Sequence, residues 1–171
     1  TPRLILRDWK EEDIPAFAHM NADPHVMEFF LNPLTAEETF AFYQRIQNEF
    51  QTCGFGLYDV ERKEDHAFMG YTGLHQITFD VDFAPGIEIG WRLGHEYWGH
   101  GYAPEAASAC LEYAHNHLGI KELYSFTSLP NFRSERVMQK IGMTRVKEFK
   151  HPLVPKEHAL CKHVLYHINL K

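Results

Sequence analysis

The chain has 171 residues, 44% apolar and 14% aromatic, which is enough for one globular domain with a substantial core and too few for two. Its formal charge of −6 disfavours a surface built to hold nucleic acid, and no apolar run reaches the length of a membrane span. Cys53, Cys110 and Cys161 are scattered through apolar segments, which excludes a disulfide framework; with no leader-like start, the expected compartment is the cytoplasm.

Arg3 to Arg7 reads as a short strand. A helix starts at Asp8 or within Lys10–Asp13, carries Ile14, Phe17, Ala18 and Met20, and ends near Asn21-Ala22-Asp23-Pro24. A turn with Val26, Met27, Phe29 and Phe30 follows, broken by Asn32-Pro33. Thr35-Ala36-Glu37-Glu38 is a capping box, and Phe40, Phe42, Tyr43, Ile46 and Phe50 continue a helix to about Gln51. Aromatic density in these helices suits a groove wall packed on a sheet, and ordinary core packing equally.

From Gly54 the period changes to two. Phe55–Val60 is a strand, Glu61–His66 a charged turn and Ala67–Thr78 a second strand; Phe79–Pro85 leads to a third, Ile87–Leu93. Three strands with short connections predict an antiparallel meander. Pro104 opens a long helix whose apolar positions, Ala106, Ala107, Cys110, Leu111 and Ala114, predict burial. Glu122–Ser128 is a strand, Ser134–Ile141 a helix closed by Gly142, and Thr144–Phe149 with Lys162–Asn169 a hairpin. The whole is one α/β domain, 1–171, around a mixed sheet.

The segment Trp98-Gly99-His100-Gly101-Tyr102-Ala103 joins the third meander strand to the long helix. Two glycines before a helix N-terminus, with its unsatisfied N–H groups and partial positive charge, make a candidate phosphate site. A plain strand-to-helix connection has the same spacing. No G-x-x-x-x-G-K-[ST] is present, and Pro104 stands where a dinucleotide fingerprint needs its third glycine. Twelve histidines raise the question of a metal, but none is expected. His163 and His167 would share a strand face and need a third ligand.

The linked motifs resemble the GCN5-related N-acetyltransferase (GNAT) superfamily, and within it the RimJ/RimL type that acetylates ribosomal-protein N-termini. They are Arg3–Arg7, Asn21-Ala22-Asp23-Pro24-x-Val26-Met27, Glu88-Ile89-Gly90-Trp91-x-Leu93, Trp98 to Ala106, and Asn131-x-x-Ser134-x-x-Val137-Met138-x-Lys140-x-Gly142-Met143. The resemblance covers essentially the whole chain. It implies a GNAT-type α/β domain with a mixed, mostly antiparallel twisted sheet, splayed at the fourth and fifth strands. It implies acetyl-CoA as co-substrate, its pyrophosphate on Trp98, Gly99, His100, Gly101, Tyr102 and Ala103. The pantetheine arm would lie against free main-chain groups near Leu93, and Asn131 would reach a pantetheine amide unless it is only a helix cap.

The implied reaction is acetyl transfer to a primary amine, a peptide N-terminus first and a small amine (amino acid, polyamine or antibiotic) second. The acidic patches could attract a cationic acceptor, and a homodimer through the last hairpin is compatible with the branch. Glu88, polar among apolar strand neighbours, is the candidate base, directly or through water, or else a carboxylate bound to the sheet or paired with Arg92. His75 is the second candidate. Many relatives carry a tyrosine as acid where this chain has Met138, so Ser134 becomes the donor to the departing sulfur, unless it is a plain first-turn residue. With that tyrosine absent, a non-catalytic acyl-CoA-binding module is the contrasting reading.

Overall fold

A computed structural model describes residues 1–171. Its elements are β1 (Leu4–Arg7), α1 (Ile14–Ala22), α2 (Ala36–Cys53), β2 (Leu57–Arg62), β3 (Phe68–Ile77), β4 (Gly86–Leu93), α3 (Tyr102–Asn116), β5 (Glu122–Ser128), α4 (Phe132–Lys140), β6 (Thr144–Lys150) and β7 (Lys162–Asn169). The seven strands form one sheet in the order β1-β2-β3-β4-β5-β7-β6. Every neighbouring pair is antiparallel except β4 and β5. The meander is therefore β2-β3-β4, and the closing hairpin slots β7 beside β5, leaving β6 at the edge. No helix is long and apolar enough to cross a membrane.

Alternation along the strands divides the core. Trp9, Phe17, Met20, Ile46, Leu57 and Tyr71 pack α1 and α2 on one face of the sheet. Leu74, Ile89, Ala107, Cys110, Leu111 and Met138 pack α3 and α4 on the other. The capping box at Thr35 forms as its spacing predicts, with Glu38 N–H to Thr35 Oγ1 at 3.1 Å and Thr35 N–H to Glu38 Oε2 at 2.7 Å. Gly54, in the left-handed region, ends α2 two residues beyond the expected stop.

Two helix starts differ from expectation. α3 begins at Tyr102, with Pro104 third in the helix. The first four N–H groups of a helix have no partner inside it, so a proline there loses no hydrogen bond. α4 begins at Phe132 because Asn131 caps it.

The feature that creates the site is the opening between β4 and β5. They align at one residue pair, Glu88 opposite Tyr124. Gly94 N–H donates to Met69 O, so even-numbered positions of β4 point their main-chain groups at β3. Odd positions point the other way, and beyond Ile89 no strand lies opposite Trp91 or Leu93.

Candidate active site

The opening continues into a cleft of about 940 Å³ that reaches from the glycine loop to both faces of the sheet around β4. Phe29, Phe30 and Phe42, from the early helical region, form part of its wall, as their aromatic density suggested. Facing them are Phe126, His151 and His163 from β5 and the closing hairpin.

At the loop, Gly99 and Gly101 have φ of +80° and +78°, with His100 between them. Positive φ at alternate positions turns neighbouring N–H groups inward, and Gly101 is the cap residue of α3. A β-carbon at Gly99 would meet nothing within 4 Å, so conformation rather than crowding requires glycine there. Gly99, Gly101, Tyr102, Ala103 and Trp98 line the cleft. The His100 side chain is exposed and outside the lining, while its carbonyl accepts from Arg3 Nη1 at 3.0 Å. Glu105, the acid in the first turn of α3, is held by Arg3 Nε at 2.7 Å, which keeps its charge from opposing an anion at the helix end.

Main-chain groups at Leu93 are only half free. The Trp98 indole donates to the Leu93 carbonyl at 2.9 Å, so the expectation of open groups there holds for the N–H side alone. Trp91 retains both.

Glu88 sits where β4 and β5 last touch, half-buried and lining the cleft. Burial pushes its carboxyl up to about 7, against the pull of His75 and with a push from Glu49. The structure does not pair it with Arg92, whose Nη1 instead donates to Asn21 Oδ1 at 2.7 Å. The reason is spacing: both side chains share a strand face, but four residues separate their Cα atoms by about 13 Å. His75 is Glu88's cross-strand partner and also lines the cleft. Its Nδ1 meets Glu49 Oε2 at 2.6 Å, and that hydrogen bond raises the imidazole above its ordinary value against the cost of burial.

At the start of α4, Asn131 lines the cleft and acts as a local brace. Its Oδ1 accepts from Ser134 N–H at 3.3 Å and its Nδ2 donates to Thr127 Oγ1 at 2.9 Å. Ser134 Oγ accepts from the Trp91 indole at 3.1 Å across the opening. Met138 is 1% exposed and packed in the core, so its position presents nothing to the cleft.

Arg92, and on α4 Arg133 and Arg136, which the motifs did not single out, also line the cleft together with Lys140 of the last motif. The three cations at i, i+3 and i+7 form one helix face, a spacing visible in the sequence once that face is known to look into a cleft. Arg133 lies over the Trp98 ring at 4.5 Å and meets Glu28 at 2.7 Å, tying α4 to the segment after α1. His163 and His167 do not act as a pair. His163 Nδ1 faces the Cys161 carbonyl at 3.2 Å, whereas His167 Nε2 meets Glu122 at 2.9 Å.

The sequence profile of the acetyltransferase (GNAT) domain family matches residues 3–144. An uncharacterized protein of Bacillus subtilis, YkkB, is 30% identical over 84% of this chain and 83% of its own. The FsC-acetyl coenzyme A-N(2)-transacetylase of Aspergillus fumigatus is 31% identical over 87% of this chain and 66% of its own. Among solved structures, a GNAT-family acetyltransferase from Bacillus anthracis superposes with a TM-score of 0.80 at 27% identity, covering 98% of this chain and 95% of that one. Spermidine N-acetyltransferase from Vibrio cholerae, solved with CoA and spermine, gives a TM-score of 0.77 at 14% identity, over 99% and 97% of the two chains, and shares the fold. A profile match spanning most of the chain, on a sheet that opens beside a glycine loop, leaves one assignment: this protein belongs to the GNAT family and is an N-acetyltransferase.

Proposed function

We propose that the protein transfers the acetyl group of acetyl-CoA to the α-amine of an extended peptide-like acceptor, the RimJ/RimL type of reaction. The residues present fit acetyl-CoA. The loop of inward N–H groups and the α3 N-terminus suit a pyrophosphate, and Arg136 and Lys140 add positive charge along the same cleft. The free main-chain groups of Trp91 and the free N–H of Leu93 suit the amide-bearing pantetheine arm, which adds itself as a strand. Acetyl-CoA supplies the activated acyl group.

Glu88 removes the proton of the acceptor ammonium, directly or through a water, and the freed amine attacks the acyl carbon. The N–H of Leu93 faces oxygen charge that builds during attack. As the C–N bond forms and the C–S bond breaks, the nitrogen gives up its second proton to the departing sulfur, to which Ser134 O–H donates a hydrogen bond; a thiol with a pKa of ~8.5 needs only that modest help. His75, bound to Glu49, tunes the charge on Glu88.

The choice of acceptor is supported by Glu88, which lines the cleft where β4 and β5 part and whose carboxyl burial raises to about 7. An α-ammonium at ~8 lies about one unit above it, whereas a polyamine or lysine ammonium at ~10.4 lies more than three units above. Thiol release from acetyl-CoA, measured against peptides with free N-termini and against small amines, tests this. Faster turnover with peptides is expected; exclusive turnover of polyamines overturns the reading.

A further inference from the structure

Arg92 is 9% exposed and lines the cleft, yet no carboxylate is paired with it. Its faces are covered by rings: Phe30 at 4.3 Å, Tyr71 at 5.3 Å and Phe42 at 5.7 Å from the guanidinium carbon. Stacking satisfies the faces of a guanidinium but not its N–H groups, which lie in its plane. Asn21 takes one of them, Nε is sealed from solvent without a partner, and Nη2 makes no hydrogen bond. Burying a cation with donors unspent is costly, so a site that keeps one is built for an anion that arrives from outside.

The direction of that site is set by β4. Arg92 and Glu88 project from the same strand face into the same cleft. Neither charge perturbs the other, as their separation requires. Their Cα atoms are about 13 Å apart along the strand, so an acceptor that meets both carries its amine and its anion at separate ends. Three extended residues at ~3.3–3.6 Å each cover a length of that order.

We infer that Arg92 is the specificity-determining residue of the acceptor site and binds a carboxylate carried at the end of the acceptor remote from the reacting amine, as in a short extended peptide. A charge-assisted bond from Nη2 to such a group offsets the cost of burying the guanidinium. Polyamines meet a buried positive charge at the same point and are disfavoured. The inference rests on the peptide reading above and names what that peptide must carry.

The test uses acceptors matched except at one end: tri-alanine acid and tri-alanine amide, and an ω-amino alkanoic acid of equal span with its amide. With the wild-type enzyme, KM for each acid is expected to be at least about tenfold below that of its amide, as one hydrogen-bonded charge provides. Arg92→Gln should erase that ratio and Arg92→Lys keep part of it. Equal use of acid and amide by the wild type, or an acid preference that survives Arg92→Gln, overturns the inference. If Arg92→Gln does not fold, the wild-type ratio and Arg92→Lys decide. If only the ω-amino pair is turned over, the peptide reading falls, while the acid-to-amide ratio within that pair still decides the role of Arg92.

Discussion

The Trp91 indole N–H donates to Ser134 Oγ at 3.1 Å, joining β4 to α4 across the gap where the sheet opens. A hydroxyl has one proton and two acceptor sites. With the indole on one acceptor site, the Ser134 proton is left to point elsewhere, and Ser134 lines the cleft. Ser134→Ala is expected to lower kcat about tenfold, the effect of losing one hydrogen bond to a charged sulfur. Trp91→Phe should lower kcat in the same direction, and the double variant should be no worse than Ser134→Ala. Multiplying effects in the pre-steady-state rate would instead mean that the two side chains act independently.

Glu88 makes two predictions that separate its chemistry from its packing. Activity should rise with pH through about 7, because the carboxyl must lose its proton to act as base. Glu88→Gln should remove that limb and lower kcat about a hundredfold, with acetyl-CoA affinity little changed. Stability moves oppositely. The folded carboxyl holds its proton up to about 7, whereas the unfolded chain releases it near 4.5. Between those values the unfolded state binds fewer protons, so this group costs stability as pH rises and costs most above 7. The melting temperature of Glu88→Gln should therefore gain on wild type between pH 5 and pH 8, as differential scanning calorimetry would read directly.

At the loop, Gly99→Ala and Gly101→Ala should each cost about 1–2 kcal/mol, the penalty for placing a β-carbon at positive φ. Open space around Gly99 means that the cost comes from the backbone and not from a clash. If the loop relaxes to escape it, its N–H groups turn away, and CoA binding by calorimetry should weaken along with the melting temperature. Unchanged CoA affinity in both variants would show that the loop's amides are not what holds the pyrophosphate.

Asn131 offers a clean comparison of two substitutions. Asn131→Ala loses the cap on α4 and should cost ~1 kcal/mol of stability. Asn131→Asp keeps an oxygen for the Ser134 N–H and should stay near wild type in both stability and turnover. A selective loss of CoA affinity in Asn131→Asp, with the melting temperature held, would show a direct contact with the pantetheine arm beside the cap.

Local chemistry was readable where neighbours in the chain decide it. The capping box at Thr35, the stop at Gly142 and the period-two meander all formed, since each depends on backbone groups a few residues away. The glycine loop was legible for the same reason. Element ends drifted by two residues at the end of α2 and the starts of α3 and α4, where unpartnered backbone groups or a cap make neighbouring boundaries nearly equal in energy. The alternatives left open by single residues closed only in three dimensions. Asn131 caps α4 and also lines the cleft, and Glu88 proved not to pair with Arg92.

By itself, then, the amino-acid order determined the elements, their sequence along the chain, and the family to which the loop and its flanking motifs belong. Tertiary structure alone decided that β4 and β5 touch at one residue pair, that Trp91 reaches Ser134, and that Arg92 ends among three rings with donors unspent. Propensity and periodicity act over a few residues, while these relationships join residues about 20 to 70 positions apart, where register and packing set every distance.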